Sequence, residues 1–212
     1  MAPFYQEFMS PGTAAVACSM QGHLGLLSPT NSPFRVLETH CGDARAAAGL
    51  LPSAAVVSYT CLDFSEAMLD SAKLNLGDKA TCVQGDATDL SMFEDASFDR
   101  YLSNLGCCCT SDLSSKLSEA RRVLAPGGIA AMSMRIEGGE GDTSAALIQS
   151  TLSEFGLGDG PDREGLRIGR DLPALRQRVA DAGFSGGAAV AWRTFATLPI
   201  HDVESFISYA YG

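Results

Sequence analysis

The sequence predicts an α/β domain built on a doubly wound, mostly parallel sheet with helices on both faces. Short β-type runs alternate with helical ones from residue 35 onward, the pattern of such a sheet. The 212 residues amount to one domain's worth of chain. Hydrophobic residues make up 46% and charged residues 19%, which supplies a core and argues against intrinsic disorder.

Taken in order, residues 13–27 read as an opening helix that ends before the breaker at 28–33 (SPTNSP). Residues 35–39 (RVLET) are the first strand. Asp43 is placed to cap the next helix and Pro52 to stop it. A second strand follows over 54–62. Ser65 caps a helix that runs to Leu76, with Gly77 as its stop. Residues 79–84 and 98–103 are the third and fourth strands. A helix over 112–124 aligns Leu113, Leu117, Ala120 and Leu124. Pro126, Gly127 and Gly128 turn the chain into a fifth strand over 129–136.

Beyond it the expectations are an acidic loop at 137–142, a helix near 143–155 and a lid over 156–170. Asp171 caps a further helix with Leu172, Leu175, Val179 and Ala182 on its buried face. A last strand spans 188–197 and a short helix 201–210. The whole reads as one domain: a cap (1–34), a ligand-binding core (35–136), a lid and substrate loop (137–170) and a C-terminal part (171–212). Nothing after 197 alternates as a strand would. Six strands are therefore expected, with an open edge that invites pairing with another chain; a homodimer or a missing segment follows from that.

Charge narrows the partners. Fifteen Lys and Arg face 25 Asp and Glu, a net charge of −10. The deficit is −6 over 1–134 and −4 over 135–212, so no basic half is hidden in the average. Nucleic acid and anionic membrane surfaces are poor partners for such a chain, which leaves small molecules. No apolar run approaches the roughly 18 residues of a membrane span. Seven cysteines, three of them consecutive at Cys107, Cys108 and Cys109, form neither a disulfide framework nor a Cys-x-x-Cys zinc pattern. Free thiols in a reducing, cytoplasmic setting are expected, and no metal.

In an open parallel sheet the ligand sits beyond the carboxyl ends of the strands. After strand one stand Glu38, Thr39, His40, Cys41, Gly42, Asp43 and Ala44. A pyrophosphate fingerprint needs glycines at 40, 42 and 45, and only Gly42 is one, which weakens a nicotinamide or flavin site. The same stretch resembles the (Asp/Glu)-x-Gly-x-Gly-x-Gly loop of class I S-adenosylmethionine-dependent methyltransferases: Glu38 and Gly42 match, Ala44 nearly does, and His40 departs. Residues 59–73 (YTCLDFSEAMLDSAK) resemble that family's second-strand acid followed by Ser-x-x-Met-Leu. Residues 83–90 (VQGDATDL) are similar to its Gly-Asp-Ala step. Residues 97–99 and 119–128 (EARRVLAPGG) resemble its Phe-Asp and Arg-Val-Leu-x-Pro-Gly-Gly elements. Five blocks in order over 35–128 identify the chain as similar to the type 11, ubiquinone/menaquinone-biosynthesis-like branch.

The resemblance implies a Rossmann-like class I methyltransferase fold, S-adenosyl-L-methionine as cofactor and methyl transfer to a small-molecule acceptor. It places Asp63 on the two ribose hydroxyls, where one carboxylate accepts both bonds. Asp86 and the Ala87 amide take the adenine edge, and Phe64 and Met68 cover its faces. Glu38, Thr39, His40 and Gly42 lie around the methionine end, and Asn104 lies where donor methyl and acceptor meet, although a plain turn role fits it equally. Asp99, at the leading end of strand four, reads as structural. His40 stays open among a base or substrate anchor, a packing group beside the methionine end, and the mark of a degraded site. The rival to an enzyme is a non-catalytic binding or scaffolding protein on the same fold.

Overall fold

A computed structural model describes residues 10–51, 53–110, 112–135, 154, 168–169, 171–184 and 189–191. Helix α1 (Ser10–His23) precedes strand β1 (Phe34–Thr39), helix α2 (Arg45–Leu50) and strand β2 (Val56–Asp63). Helix α3 (Glu66–Leu76) leads through a 3-10 turn into β3 (Thr81–Gln84), and β4 (Phe98–Ser103), α4 (Leu113–Val123), β5 (Leu124–Met132) and α5 (Leu172–Asp181) follow. The five strands are parallel and lie in the order β3-β2-β1-β4-β5. The order therefore reverses between β1 and β4, which fixes the ligand edge at the carboxyl ends of those two strands.

Alternation along the strands divides the core. Val36, Tyr59, Cys61 and Leu102 face the layer built by α1, α2 and α3, with Val16, Met20, Ala47, Leu69 and Leu76. Leu37, Leu62, Phe98 and Tyr101 face the opposite layer, where α4 brings Ala120 and Val123. Helix α5 rests on α4 through Leu175 and Val179, packed against Leu113, Leu117 and Cys107. Leu172 is exposed, so it is not part of the buried face expected of it. It stands in the first turn, before the helix meets α4.

Polar ties hold the frame. Asp99 accepts from the Arg35 amide at 2.9 Å and from its guanidinium at 2.9 and 3.0 Å, the structural role expected of it. Arg122 binds Glu119 and Asp95 and donates to the carbonyls of Leu90 and Phe93, while Glu119 accepts from the Leu90 amide. This cluster clamps the β3–β4 connection onto α4.

Three local expectations are corrected. Asp43 is not the cap residue of α2, a position that Ala44 holds with no side-chain bond, but from one residue earlier its Oδ1 accepts from the Arg45 amide at 3.3 Å as well as from Ser10 Oγ at 2.9 Å. Pro126, Gly127 and Gly128 are not a turn ahead of β5 but a bulge inside it, since the pairing jumps from Phe98↔Leu124 to Arg100↔Ile129. Strand β5 accordingly ends at Met132, before Ile136. Ser65 does cap α3, accepting from the Met68 amide. The expected helix near 143–155, lid at 156–170, strand at 188–197 and tail at 201–210 lie outside the described residues, apart from Glu154, Ile168, Gly169 and 189–191.

Candidate active site

The loop after β1 takes three left-handed steps, at His40 (φ 55°), Gly42 (φ 55°) and Ala44 (φ 53°). These alternate positions are those of the three glycines in the loop pattern, yet only one holds a glycine. A side chain in this conformation costs roughly 1–2 kcal/mol, so the surroundings must impose it. Asp63 does part of that. Its Oδ2 accepts from the Gly42 amide at 2.9 Å and its Oδ1 from the Ser65 amide at 3.0 Å, tying the loop to the end of β2. The carboxylate is half-buried, and each oxygen keeps a further lone pair for a ligand hydroxyl.

Beside it, the Phe64 ring is 76% exposed at the sheet edge and Met68 is half-buried one turn along α3. Asp86 is exposed after β3, its Oδ1 accepting from the Thr88 amide at 2.9 Å, and the Ala87 methyl is buried in the α4-side core. The residues expected around an adenosine thus share one edge.

The other end of the loop is acidic and dry. Glu38 and Asp43 are each only 3% exposed and line one small cleft beneath α1. Glu38 accepts from the Tyr59 hydroxyl at 2.8 Å; burial, reinforced by Asp43 and Asp63, pushes its carboxyl up to about 7. Asp43 Oδ1 accepts from Ser10 Oγ at 2.9 Å. Asp43 Oδ2 has no hydrogen-bond partner, and its nearest cation, Arg45 Nε, is 3.7 Å away. A buried carboxylate oxygen without a donor is costly. A ligand ammonium would satisfy it, so these residues fit the aminoacyl end of adenosylmethionine.

His40 closes the cleft on the β4 side. Its Nδ1 lies 3.3 Å from Nζ of Lys116, which is fully buried in α4 and also donates to Ser103 Oγ at 2.8 Å. Gly106 makes room for this contact: a Cβ there would fall on Ser103 Oγ and 2.6 Å from His40 Nδ1. Burial and the Lys116 charge lower the His40 ring to about 4, so the ring is neutral at pH 7. Burial also lowers Lys116.

Two expected site residues have their polar groups engaged within the fold. Thr39 Oγ1 bonds the Tyr101 hydroxyl at 2.8 Å in the core. Asn104 Nδ2 donates to the Thr13 carbonyl at 2.8 Å, and its Oδ1 accepts from Ser133 Oγ at 2.9 Å, so Asn104 lines the cleft as a brace between α1 and the end of β5. Among the cysteines, Cys107 is buried, and Cys108 and Cys109 stand with sulfurs 3.9 Å apart. Sequence reasoning missed Lys116, Tyr59 and Ser10. The signal for Lys116 was legible: a charge three residues after Leu113 and four before Ala120 sits on the apolar stripe.

The five parallel strands and their order give the chain the Rossmann-like α/β fold of class I methyltransferases. Residues 37–132 match the family model described as a methyltransferase domain. Demethylmenaquinone methyltransferase of Leptospira interrogans is 37% identical over 101 residues, covering 45% of this chain and 41% of that protein. Malonyl-[acyl-carrier protein] O-methyltransferase of Erwinia pyrifoliae is 42% identical over 90 residues, covering 42% and 34%. The chain thus spans about two fifths or less of the length of these relatives. In fold it is similar to a Methanococcus maripaludis structure assigned to the S-adenosyl-L-methionine-dependent methyltransferases (TM-score 0.60, 20% identity, 87% of this chain and 82% of that one). It is also similar to the [4+2]-cyclase SpnF (TM-score 0.58, 20% identity, 80% and 57%). Among the described residues no helix is long and apolar enough to cross a membrane.

Proposed function

We propose that the chain is an S-adenosyl-L-methionine-dependent methyltransferase acting on a small-molecule acceptor. The observation that carries this reading is the first loop: its left-handed steps survive the loss of two glycines, and it ends in the buried acid pair Glu38 and Asp43, which suits a cationic ligand. Bound adenosylmethionine supplies an electrophilic methyl on its sulfonium. The chain's own part is to hold and to exclude water. Asp63 takes the ribose hydroxyls while keeping the loop on β2, Asp86 and the Ala87 amide take the adenine edge, and Phe64 with Met68 covers the ring. Glu38 and Asp43 hold the amino end. His40 faces the acceptor as a neutral ring. Helix α1, latched by Ser10 on Asp43 and by Asn104 on Thr13, roofs the cleft. Free cysteines support a reducing, cytoplasmic setting, and a homodimer remains part of the proposal.

Calorimetric titration with adenosylmethionine, adenosylhomocysteine and NAD tests the reading. Micromolar binding of the first two and none of NAD is expected. Binding of NAD alone, or of nothing, overturns it. Binding without turnover on any demethylquinone, thiol or amine acceptor would favour a binding protein.

A further inference from the structure

The only buried lysine among the described residues has an organised place in the site. Lys116 Nζ stands between His40 Nδ1 (3.3 Å) and Ser103 Oγ (2.8 Å), at the carboxyl edge of β4, and is fully buried. A lysine there costs desolvation that a leucine would not. Its neighbours are shaped around it: Gly106 omits the Cβ that would strike Ser103 Oγ and the His40 ring, and His40 is held in a left-handed conformation that its side chain disfavours. The ring is trapped between a donor on one side and the cleft on the other.

We propose that Lys116 is a positioning residue that fixes His40 as a neutral ring with its proton on Nε2, so that His40 acts on the methyl acceptor as a hydrogen-bond donor and not as a base. This rests on the methyltransferase reading for its consequence but not for its geometry. An ammonium has three donors and no acceptor, so Nδ1 accepts from it and the single ring proton resides on Nε2. The charges facing the pair are Asp86, which favours protonation of both, and the Cys107, Cys108 and Cys109 sulfurs beside Lys116. A donor at the acceptor stabilises an oxygen anion there and removes no proton. The acceptor class is then one that arrives nucleophilic, such as an enolate, phenolate or thiolate.

The test is long-range proton–nitrogen NMR of protein labelled at its three histidines, with His40→Gln used for assignment. In the wild type, His40 should show one tautomer, bare at Nδ1 and protonated at Nε2, unchanged from pH 8 to pH 5. In Lys116→Met, which keeps the apolar stem, the single tautomer should be lost and the ring should protonate at a pH at least one unit higher. A wild-type ring protonated at Nδ1, or mixed, overturns the proposal without any variant. So does a Lys116→Met protein that is folded by its melting transition and shows an unchanged His40. Adenosylhomocysteine binding, measured separately on the wild type, shows whether the methyltransferase reading itself has failed.

Discussion

Tyr59 donates its hydroxyl to Glu38 at 2.8 Å, on the α1-side face where β1 and β2 run side by side, with both side chains out of solvent. One hydrogen bond does not offset the desolvation of that carboxylate, and the Glu38 carboxyl rises from 4.5 to about 7. Between those pH values the folded state holds a proton that the unfolded chain has lost. Glu38 therefore contributes most below pH 4.5 and loses about 3 kcal/mol as pH rises to 7. His40 runs the other way: its ring falls from 6.5 to about 4, so its contribution grows as pH rises over that window.

The two slopes oppose each other between about pH 4.5 and 6.5. Glu38→Gln removes one of them. Urea unfolding at a series of pH values should show the wild type gaining little across that range and Glu38→Gln gaining stability steadily. At pH 8 the variant should be the more stable protein while binding adenosylhomocysteine less well. Parallel pH curves for the two proteins would refute the burial argument.

Asp63→Ala frees the Gly42 and Ser65 amides and, on the proposed function, removes the acceptor for two ribose hydroxyls. At about 1–3 kcal/mol for each unpaired group, adenosylhomocysteine affinity should fall at least about thirtyfold. Asp86→Ala should cost less, since in the proposed site Phe64 and Met68 would still cover the adenine. Calorimetry that finds Asp63→Ala binding at wild-type affinity would remove Asp63 from the site.

His40→Gly restores the loop's usual residue, and strain relief of about 1 kcal/mol would by itself stabilise the fold. It also leaves Lys116 with Ser103 alone and empties the space of the ring. Loss of a partner to a buried charge costs more, roughly 1–3 kcal/mol or above, so the variant should be net destabilised by about 1 kcal/mol. A higher urea midpoint for His40→Gly would show that the ring is merely tolerated.

Gly106→Ala tests the same cluster by crowding. A methyl 2.6 Å from His40 Nδ1 cannot be accommodated without moving the ring or Ser103, and overpacking of this kind costs about 1–3 kcal/mol. The unfolding midpoint should drop by that amount, whereas Gly49→Ala, where nothing lies within 4 Å, should not lower it.

Cys108 is half-buried, and its bond with Cys109, aided by Lys116, holds its thiol down to about 6. Cys107, buried beside it, is pushed up. The Cys108 and Cys109 pair therefore gives up a proton more readily than Cys107 does. Brief iodoacetamide treatment followed by peptide mass spectrometry should label Cys108 and spare Cys107. Equal labelling would contradict the difference in their surroundings.

The local features of this chain were legible in its sequence because they depend on near neighbours. The parallel strands show in the alternation of apolar runs with helical ones, the α3 cap in Ser65, and the structural role of Asp99 in its place at the leading end of β4. The same local logic saw Asp43 serving the start of α2, where its Oδ1 accepts from the Arg45 amide, but not Ser10, 33 residues away, which bonds the same oxygen. It read Pro126 to Gly128 as a turn because a bulge is defined by the partner strand, not by the residues themselves.

What tertiary structure alone decided is the chemistry of the loop. The sequence established that His40 replaces a glycine, and the fold decided what that means. Lys116, 76 residues away, meets its ring only when α4 packs beside the β4 edge. Glu38 becomes a proton-holding acid only when the fold buries it beside Asp43 and Asp63, against the opposing pull of the Tyr59 hydroxyl. An apolar stripe tells which face of a helix is buried. What a charge on that stripe meets, and so which proton it keeps, is set by groups brought together across long loops in a dry interior.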